Sequence, residues 1–194
     1  MKTPPIVLAS TSRYRRELLQ RLRLDFTVEA PRIDESPLPG ELPRSTAMRL
    51  ALAKAQAVAA GRPGAIVIGS DQVADIAGQA MSKPGTHSAA LTQLLSMQGR
   101  SIYFHSALAV VGADGALQVD EVPTEVRFRV LPEARLDAYL RAEQPYDCAG
   151  AAKIEGLGIT LVEAVLSDDP TALIGLPLIR LTSMLAACGV ALPA

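Results

Sequence analysis

Tryptophan is absent from this chain, and aromatic residues make up only 4% of it. That is too few for the stacked rings on which single-stranded nucleic acids are read. Charge of one sign is lacking as well. Nineteen Lys and Arg face 20 Asp and Glu, a net of −1, so a broad basic surface for nucleic acid is excluded while a local basic pocket is not. Two cysteines, Cys148 and Cys188, do not make a disulfide framework. The two histidines, His87 and His105, are far apart, and no Cys/His cluster has zinc spacing; both are expected to be satisfied surface or strand residues. The longest apolar stretches are broken by Gly, Pro or charge, so no membrane span is expected. Met1-Lys2-Thr3-Pro4-Pro5 and the short apolar run before Ser10 are too brief for a signal-peptide core, which makes the cytoplasm the expected address.

What is present is ordinary globular composition, 49% hydrophobic and 20% charged over 194 residues, enough for one domain with a sizeable core. Pro5–Ala9 reads as a buried strand, followed by hydroxyls at Ser10-Thr11-Ser12 that can cap a helix running to Arg23. Asp25–Ala30 alternates as a strand, and Pro31 to Pro43 is a Pro/Gly-rich loop whose Ser36–Gly40 stretch is either a lid or a stiff cover. A helix is predicted over Thr46–Ala60, then a short strand Ala65–Ile68 with Gly69-Ser70-Asp71 as its exit. Further expectations are a hairpin around Gly78, a helix over Ser88–Met97 and a strand Ile102–Val111 turning at Asp114-Gly115. A strand follows over Val119–Val130, with Val126, Phe128 and Val130 on one face. Pro132 opens a helix to Ala142, Ile159–Val165 is a strand, and Pro177–Cys188 is the last helix. Strands and helices alternate with hairpins in the middle, the pattern of an α/β fold with a mixed sheet.

Three features carry chemistry. Arg13, Arg15 and Arg16 crowd the first turn of a helix, where the dipole disfavours each cation by roughly 0.3–1 kcal/mol. An anion held with the help of Ser10, Thr11 and Ser12 would relieve that conflict, and phosphate suits it best. Carboxylates at Asp34-Glu35 and Asp71 suit a hard cation such as Mg²⁺, which takes oxygen ligands and keeps waters. Lys54, Lys83 and Lys153 read singly as snorkelling surface lysines; with the arginines and acids they make a polyphosphate–metal cradle.

These residues fall into a known pattern. Leu8-Ala9-Ser10-Thr11-Ser12, Arg15-Arg16-Glu17-Leu18-Leu19, Asp34-Glu35, Lys54-Ala55, Gly69-Ser70-Asp71 and Lys83-Pro84 come in the order and spacing of the Maf family. Ala149-Gly150, Glu155-Gly156 and Gly175-Leu176-Pro177-Leu178 continue it, so the chain resembles this family of nucleoside triphosphate pyrophosphatases over nearly its whole length. The resemblance implies one domain over 1–194, an extended mixed sheet flanked by helices, and two lobes around a central cleft. It implies hydrolysis of a nucleoside triphosphate to monophosphate and pyrophosphate with a divalent metal, Mg²⁺ first and Mn²⁺ or Co²⁺ as the other candidates. Family members are often homodimers, which leaves a homodimer open here. Asp71 matches the signature acid, expected to act as base, as metal ligand or as both. Glu35 is the second metal ligand, and Ser10, Arg15, Lys54 and Lys83, with Lys153 as a further candidate, take the phosphates.

Within the family, Tyr14, Gln72 and Glu155 resemble the selectivity set of the 7-methyl-GTP branch; the dTTP/UTP branch typically has Arg, Thr and Gln there. N7-methylation makes guanine cationic, and the face of Tyr14 would attract it by up to about 2 kcal/mol. Glu155 could accept from guanine N1–H and the 2-amino group, charge-assisted bonds worth roughly 1.5–3 kcal/mol. Together these would give selectivity on the order of a hundredfold. The chain departs from the pattern at Arg13, where the family usually has Pro, and at Tyr14, where Trp is expected in near relatives. Tyr14 shares a helical stripe with Leu18 and Leu22 and reads equally as core, and Gln72 reads equally as the cap of a strand exit. Two other functions stay open: a dTTP/UTP pyrophosphatase, and a nucleotide-binding regulator of cell division, since family members have been linked to septum formation.

Overall fold

A computed structural model describes residues 4–193. The stretch Met1–Thr3, on which the leader argument partly rests, and residue 194, the end of the expected domain, lie outside the described residues. Seven strands form one mixed sheet: β1 (Ile6–Ala9), β2 (Phe26–Glu29), β3 (Ile66–Ile76), β4 (Gln79–Met81), β5 (Ser101–Val111), β6 (Leu117–Phe128) and β7 (Val162–Leu166). Five helices flank it: α1 (Arg13–Gln20), α2 (Pro43–Ala59), α3 (His87–Met97), α4 (Glu133–Glu143) and α5 (Leu178–Ala187). The order is β2-β1-β3-β5-β6-β7, with β4 paired to the far end of β3. Strands β1, β2 and β3 run parallel and the rest antiparallel, so the expected α/β mixed sheet is present. Among the described residues no helix is long and apolar enough to cross a membrane.

The edge of β3 explains where a cleft can open. Residues Ile66–Gly69 pair with β1, and Ala74–Ile76 pair with β4 on that same side. Between them, among the described residues, no strand pairs with Ser70 to Val73 on that edge. The chain leaves β1 at Ser10 and turns into α1 there, just past the carboxyl end of a parallel strand, where open α/β sheets place their ligands.

Side chains alternate along β3, so its two faces differ. One face carries two apolar cores. Ile66 and Ile68 join Ile6, Leu8, Leu108, Leu18 and Leu181 under α1 and α5, while Ala74 joins Phe104, Val126, Leu94 and Leu140 under α3 and α4. Ser70, Gln72 and Ser106 form a polar belt between these cores, which are the two expected lobes. The opposite face is covered by α2 through Ala47, Ala51 and Ala55 packed on Val73, Ala107 and Ala109. These small residues let the helix sit close. A Cβ on Gly69 would lie 2.3 Å from Ala51 O and 2.7 Å from Ala55 N, so glycine is required there.

Several boundaries differ from the sequence expectation. Strand β3 does not end at Gly69 but runs through Asp71 and Gln72 to Ile76, because β5 pairs with it along the whole length. Helix α1 stops at Gln20, and Arg23 takes a left-handed φ of 54° before β2. Helix α2 starts at Pro43, which supplies a preset φ at its first turn. Val130 does not share the buried face of Val126 and Phe128: β6 leaves its ladder at a bulge at Arg127/Phe128 and Val130 is 77% exposed. The last strand begins at Val162, because Leu157–Leu161 form a 3₁₀ turn that packs Gly158 against Lys153 O, where a Cβ would lie 2.4 Å away. Both histidines are satisfied, as expected. His87 bonds Tyr146 and Asp137, and His105, on β5, bonds Glu121 and Asp75.

Candidate active site

Asp71 projects from the middle of β3 onto the α2 face, and Lys54 comes down from α2 to meet it. Lys54 Nζ lies 2.6 Å from Asp71 Oδ1 and 2.7 Å from Glu35 Oε2. Lys54 and Asp71 are buried at 5% and 7% exposure, whereas the Glu35 side chain is 55% exposed on its loop. Asp34 turns away, accepting a hydrogen bond from Ser36 N at 2.9 Å. That loop is fastened from below: Arg49 donates to both oxygens of Glu41 at 2.7 Å and to Ser36 O at 3.2 Å. Glu41 also accepts from Thr46 Oγ1 and Leu38 N. The Arg49 guanidinium holds the Glu41 carboxyl down at about 2.

Arg15 enters from the first turn of α1. Ser12 caps that helix, its Oγ accepting from Arg15 N, and Ser12 N in turn donates to Ser10 Oγ. The Arg15 side chain donates from Nε to Gly175 O at 2.9 Å, and Ser70 Oγ donates to the same carbonyl. Burial lowers the Arg15 pKa, opposed by the Asp71 and Glu35 carboxylates. A cavity of about 400 Å³ collects Ser10, Arg15, Glu35, Lys54, Asp71 and the exposed Lys83. The expected phosphate and metal residues therefore meet in one place.

Two carboxylates on hard-oxygen chemistry fit a divalent cation of the Mg²⁺ type, which completes its shell with phosphate oxygens and water. Among the described residues no group of three or more acidic, His or Cys side chains could hold a metal by itself. Two acids alone would leave most of such a cation's shell to other oxygens.

A second cavity, of about 420 Å³, adjoins the first through Arg15, Gln72 and Lys83, which line both. It lies on the other face of β3 and carries Tyr14, Lys153 and Glu155. Tyr14 is half-buried and lines this cavity, while Leu18 fills the core, so the ring is not a core residue. Arg13 covers part of Tyr14, its guanidinium 4.7 Å from the ring centroid and Nη2 2.8 Å from the hydroxyl. Arg16 is exposed and lines neither cavity. Gln72 is no strand cap. Its amide nitrogen lies within 3.0 Å of Ser106 Oγ, Ala172 O and Leu173 O, which fixes the side chain in the polar belt.

Lys153 departs from the expected phosphate cradle. Its Nζ is held by Glu143 Oε1 at 2.7 Å, beside Tyr14 and Glu155 rather than beside Asp71. Cys148 also lines this cavity, its thiol pushed up to about 11 by burial.

Sequence reasoning missed the supports. Glu143 accepts from Lys153 Nζ and Leu157 N, and Tyr139 OH accepts from Lys153 N, so α4 fastens the turn that carries Glu155. Burial raises the Tyr139 hydroxyl pKa. Asp169, 2% exposed, accepts from Thr171 N and Ile179 N and so shapes the segment whose carbonyls receive Gln72, Ser106, Ser70 and Arg15. Nothing about Glu143 or Asp169 distinguishes them in sequence from helix-surface and loop acids.

Comparison with known proteins accords with this picture. The family model described as "Maf-like protein" matches residues 5–188. A protein named 7-methyl-GTP pyrophosphatase from Burkholderia pseudomallei (strain 1710b) is 61% identical over 190 residues, 96% of this chain and 88% of the relative. Another of that name from Cupriavidus metallidurans is 58% identical over 187 residues, covering 96% and 94%. Among solved structures, the Staphylococcus aureus Ham1 protein aligns at 18% identity and a TM-score of 0.46, covering 64% of this chain and 71% of its own. The match from residue 5 to residue 188 takes in the strand edge, the α2 lysine and both cavities, and the chain belongs to the Maf-like family.

Proposed function

We propose that the chain is a nucleoside triphosphate pyrophosphatase that converts 7-methyl-GTP to 7-methyl-GMP and pyrophosphate in the cytoplasm. The observation that carries this reading is the junction of two unlike cavities across the free edge of β3, one lined by Ser10, Arg15, Glu35, Lys54, Asp71 and Lys83, the other carrying Tyr14 and Glu155. A triphosphate lying on Ser10, Arg15, Lys54 and Lys83 would place its α-phosphorus near Asp71 and its base near Tyr14. The names of relatives about 60% identical support the same substrate.

In this reading Asp71 orients a water and takes its proton as the water oxygen bonds to the α-phosphorus. The bond from that phosphorus to the bridging oxygen breaks, and the electron pair leaves with pyrophosphate. Arg15, Lys54 and Lys83 stabilise the oxygens that gain charge. A divalent cation, Mg²⁺ first, held by Glu35 and Asp71 would supply further neutralisation of the phosphates. At the other end, Glu155 accepts from the guanine N1–H and 2-amino groups, Gln72, held by Ser106 and the Ala172 and Leu173 carbonyls, lines the same cavity, and Tyr14 offers a ring to the cationic base. Lys153 belongs to this end, restraining the turn through Glu143.

The test is pyrophosphate release from 7-methyl-GTP, GTP, dTTP and UTP with Mg²⁺, against Asp71→Asn as the blank. Preference for 7-methyl-GTP is expected. Preference for dTTP or UTP would remove Tyr14 and Glu155 from selectivity but leave the catalytic assignment. No turnover above the blank would favour a nucleotide-binding regulator of division.

A further inference from the structure

Lys54 sits between the two carboxylates that suit a metal, and it does so from a rigid base. It leaves α2 one residue before Ala55, where the helix rests on Gly69, and its ammonium is within 2.7 Å of both Glu35 and Asp71. Asp71 is fixed in the strand, and Glu35 is the exposed, loop-borne partner. A buried carboxylate whose counter-charge is removed is strongly disfavoured, so this ammonium is not lightly displaced. A divalent cation arriving alone must compete with it and is repelled by it. A polyphosphate changes the balance, because it brings negative charge into the cavity that Lys54 shares with Ser10 and Lys83. The flexible lysine stem can then swing its ammonium onto phosphate oxygens, freeing both carboxylates together.

We infer that Lys54 is the resident counter-ion of the Glu35/Asp71 pair and sets the order of assembly: the acidic pair opens to a divalent cation only when a triphosphate draws the ammonium away. The inference rests on reading Glu35 and Asp71 as the metal-holding pair, and not on which base the cleft accepts. It makes the free protein a poor metal binder and ties metal capture to substrate capture.

Mn²⁺ binding to the nucleotide-free protein, followed by loss of the aqueous Mn²⁺ resonance, tests it. Lys54→Gln is expected to bind Mn²⁺ at least about tenfold more tightly than wild type, and the gain should vanish in Lys54→Gln/Glu35→Gln. Wild type that binds Mn²⁺ as tightly as Lys54→Gln, with binding lost in Glu35→Gln, overturns the counter-ion role and leaves the metal-holding pair standing. Binding by Lys54→Gln that survives both Glu35→Gln and Asp71→Asn overturns the pair itself. Should Lys54→Gln not fold, the wild type answers through its ¹⁵N-labelled lysine ammonium signals. Inorganic tripolyphosphate without metal should shift the Lys54 signal, and millimolar Mg²⁺ alone should leave it in place. A shift with Mg²⁺ alone overturns the proposal.

Discussion

Asp71 and Gln72 are neighbours on β3, yet they serve opposite faces of the sheet. On the Asp71 side the functional groups come from a central strand and a helix seated on glycine and alanine, and Lys54 and Asp71 are almost wholly buried. On the Gln72 side, Glu155 and Lys153 come from a turn between two 3₁₀ segments and Glu155 is exposed. One end is fixed by backbone pairing and close packing. The other is fixed by side-chain supports from α4 and from the Asp169 segment. Chemistry common to every triphosphate needs fixed charges, whereas discrimination among bases suits loops that tolerate change.

The sharpest way to expose this division is to remove the acid at the fixed end. Asp71→Asn should lower kcat by about a thousandfold for every nucleotide, whatever its base, because it removes the proton acceptor. Single-turnover pyrophosphate release checks it. A loss confined to 7-methyl-GTP would erase the division between the two ends.

Next in size is the seat of α2. Gly69→Ala puts a methyl group into backbone of α2 and should cost about 3 kcal/mol of stability, read from a urea melt. The surviving folded fraction should lose turnover while keeping its preference among bases, since the helix carries Lys54 but touches nothing at the other end. Wild-type kcat in folded Gly69→Ala would show that the seat does not deliver Lys54.

Glu155→Gln addresses the loop-built end. The preference for 7-methyl-GTP over GTP, as a ratio of kcat/KM, should fall about tenfold, because both nucleotides lose the same guanine-edge bonds and only the methylated, cationic ring also loses a complementary charge. Equal losses for both nucleotides would mean that Glu155 reads the guanine edge without sensing the charge of the methylated ring.

The same division explains what was legible in the sequence. Ser10, Arg15, Lys54, Asp71 and Lys83 stand at element ends or faces whose period and caps can be read locally, and in the fold they line one cavity. Local pattern nevertheless puts Asp71 at a strand exit, because the apolar run stops at Ile68 and the strand continues only through pairing with β5, a nonlocal fact. Charge alone points Lys153 toward the phosphates. Its partner Glu143 is ten residues earlier on another element, and nothing local announces that pairing. Val130 continued an alternating pattern that the bulge at Arg127/Phe128 cuts short. Local chemistry was visible; the supports that aim it are long-range.

The smallest expected effect lies in the loop that carries Glu35, the exposed acid of the fixed end. Arg49 holds Glu41 with both oxygens engaged and lowers its pKa from an ordinary 4.5 to about 2. A carboxylate whose pKa is depressed on folding stabilises the fold fully above its ordinary value and loses that contribution as pH falls through the depressed one. Wild type should therefore exceed Glu41→Gln in thermal stability above pH 4.5, by no more than about 4 °C because the pair is solvent-screened. The gap should close between pH 4.5 and about 2 as Glu41 takes up its proton. Melting temperatures of both proteins across that range decide it. No gap at any pH would mean that Thr46 and Leu38, which a glutamine can still engage, hold the loop without the charge of Glu41. In that case the anchoring of Glu35 would rest on neutral hydrogen bonds, and the fixed end would owe less to ion pairing than Lys54 and Asp71 suggest.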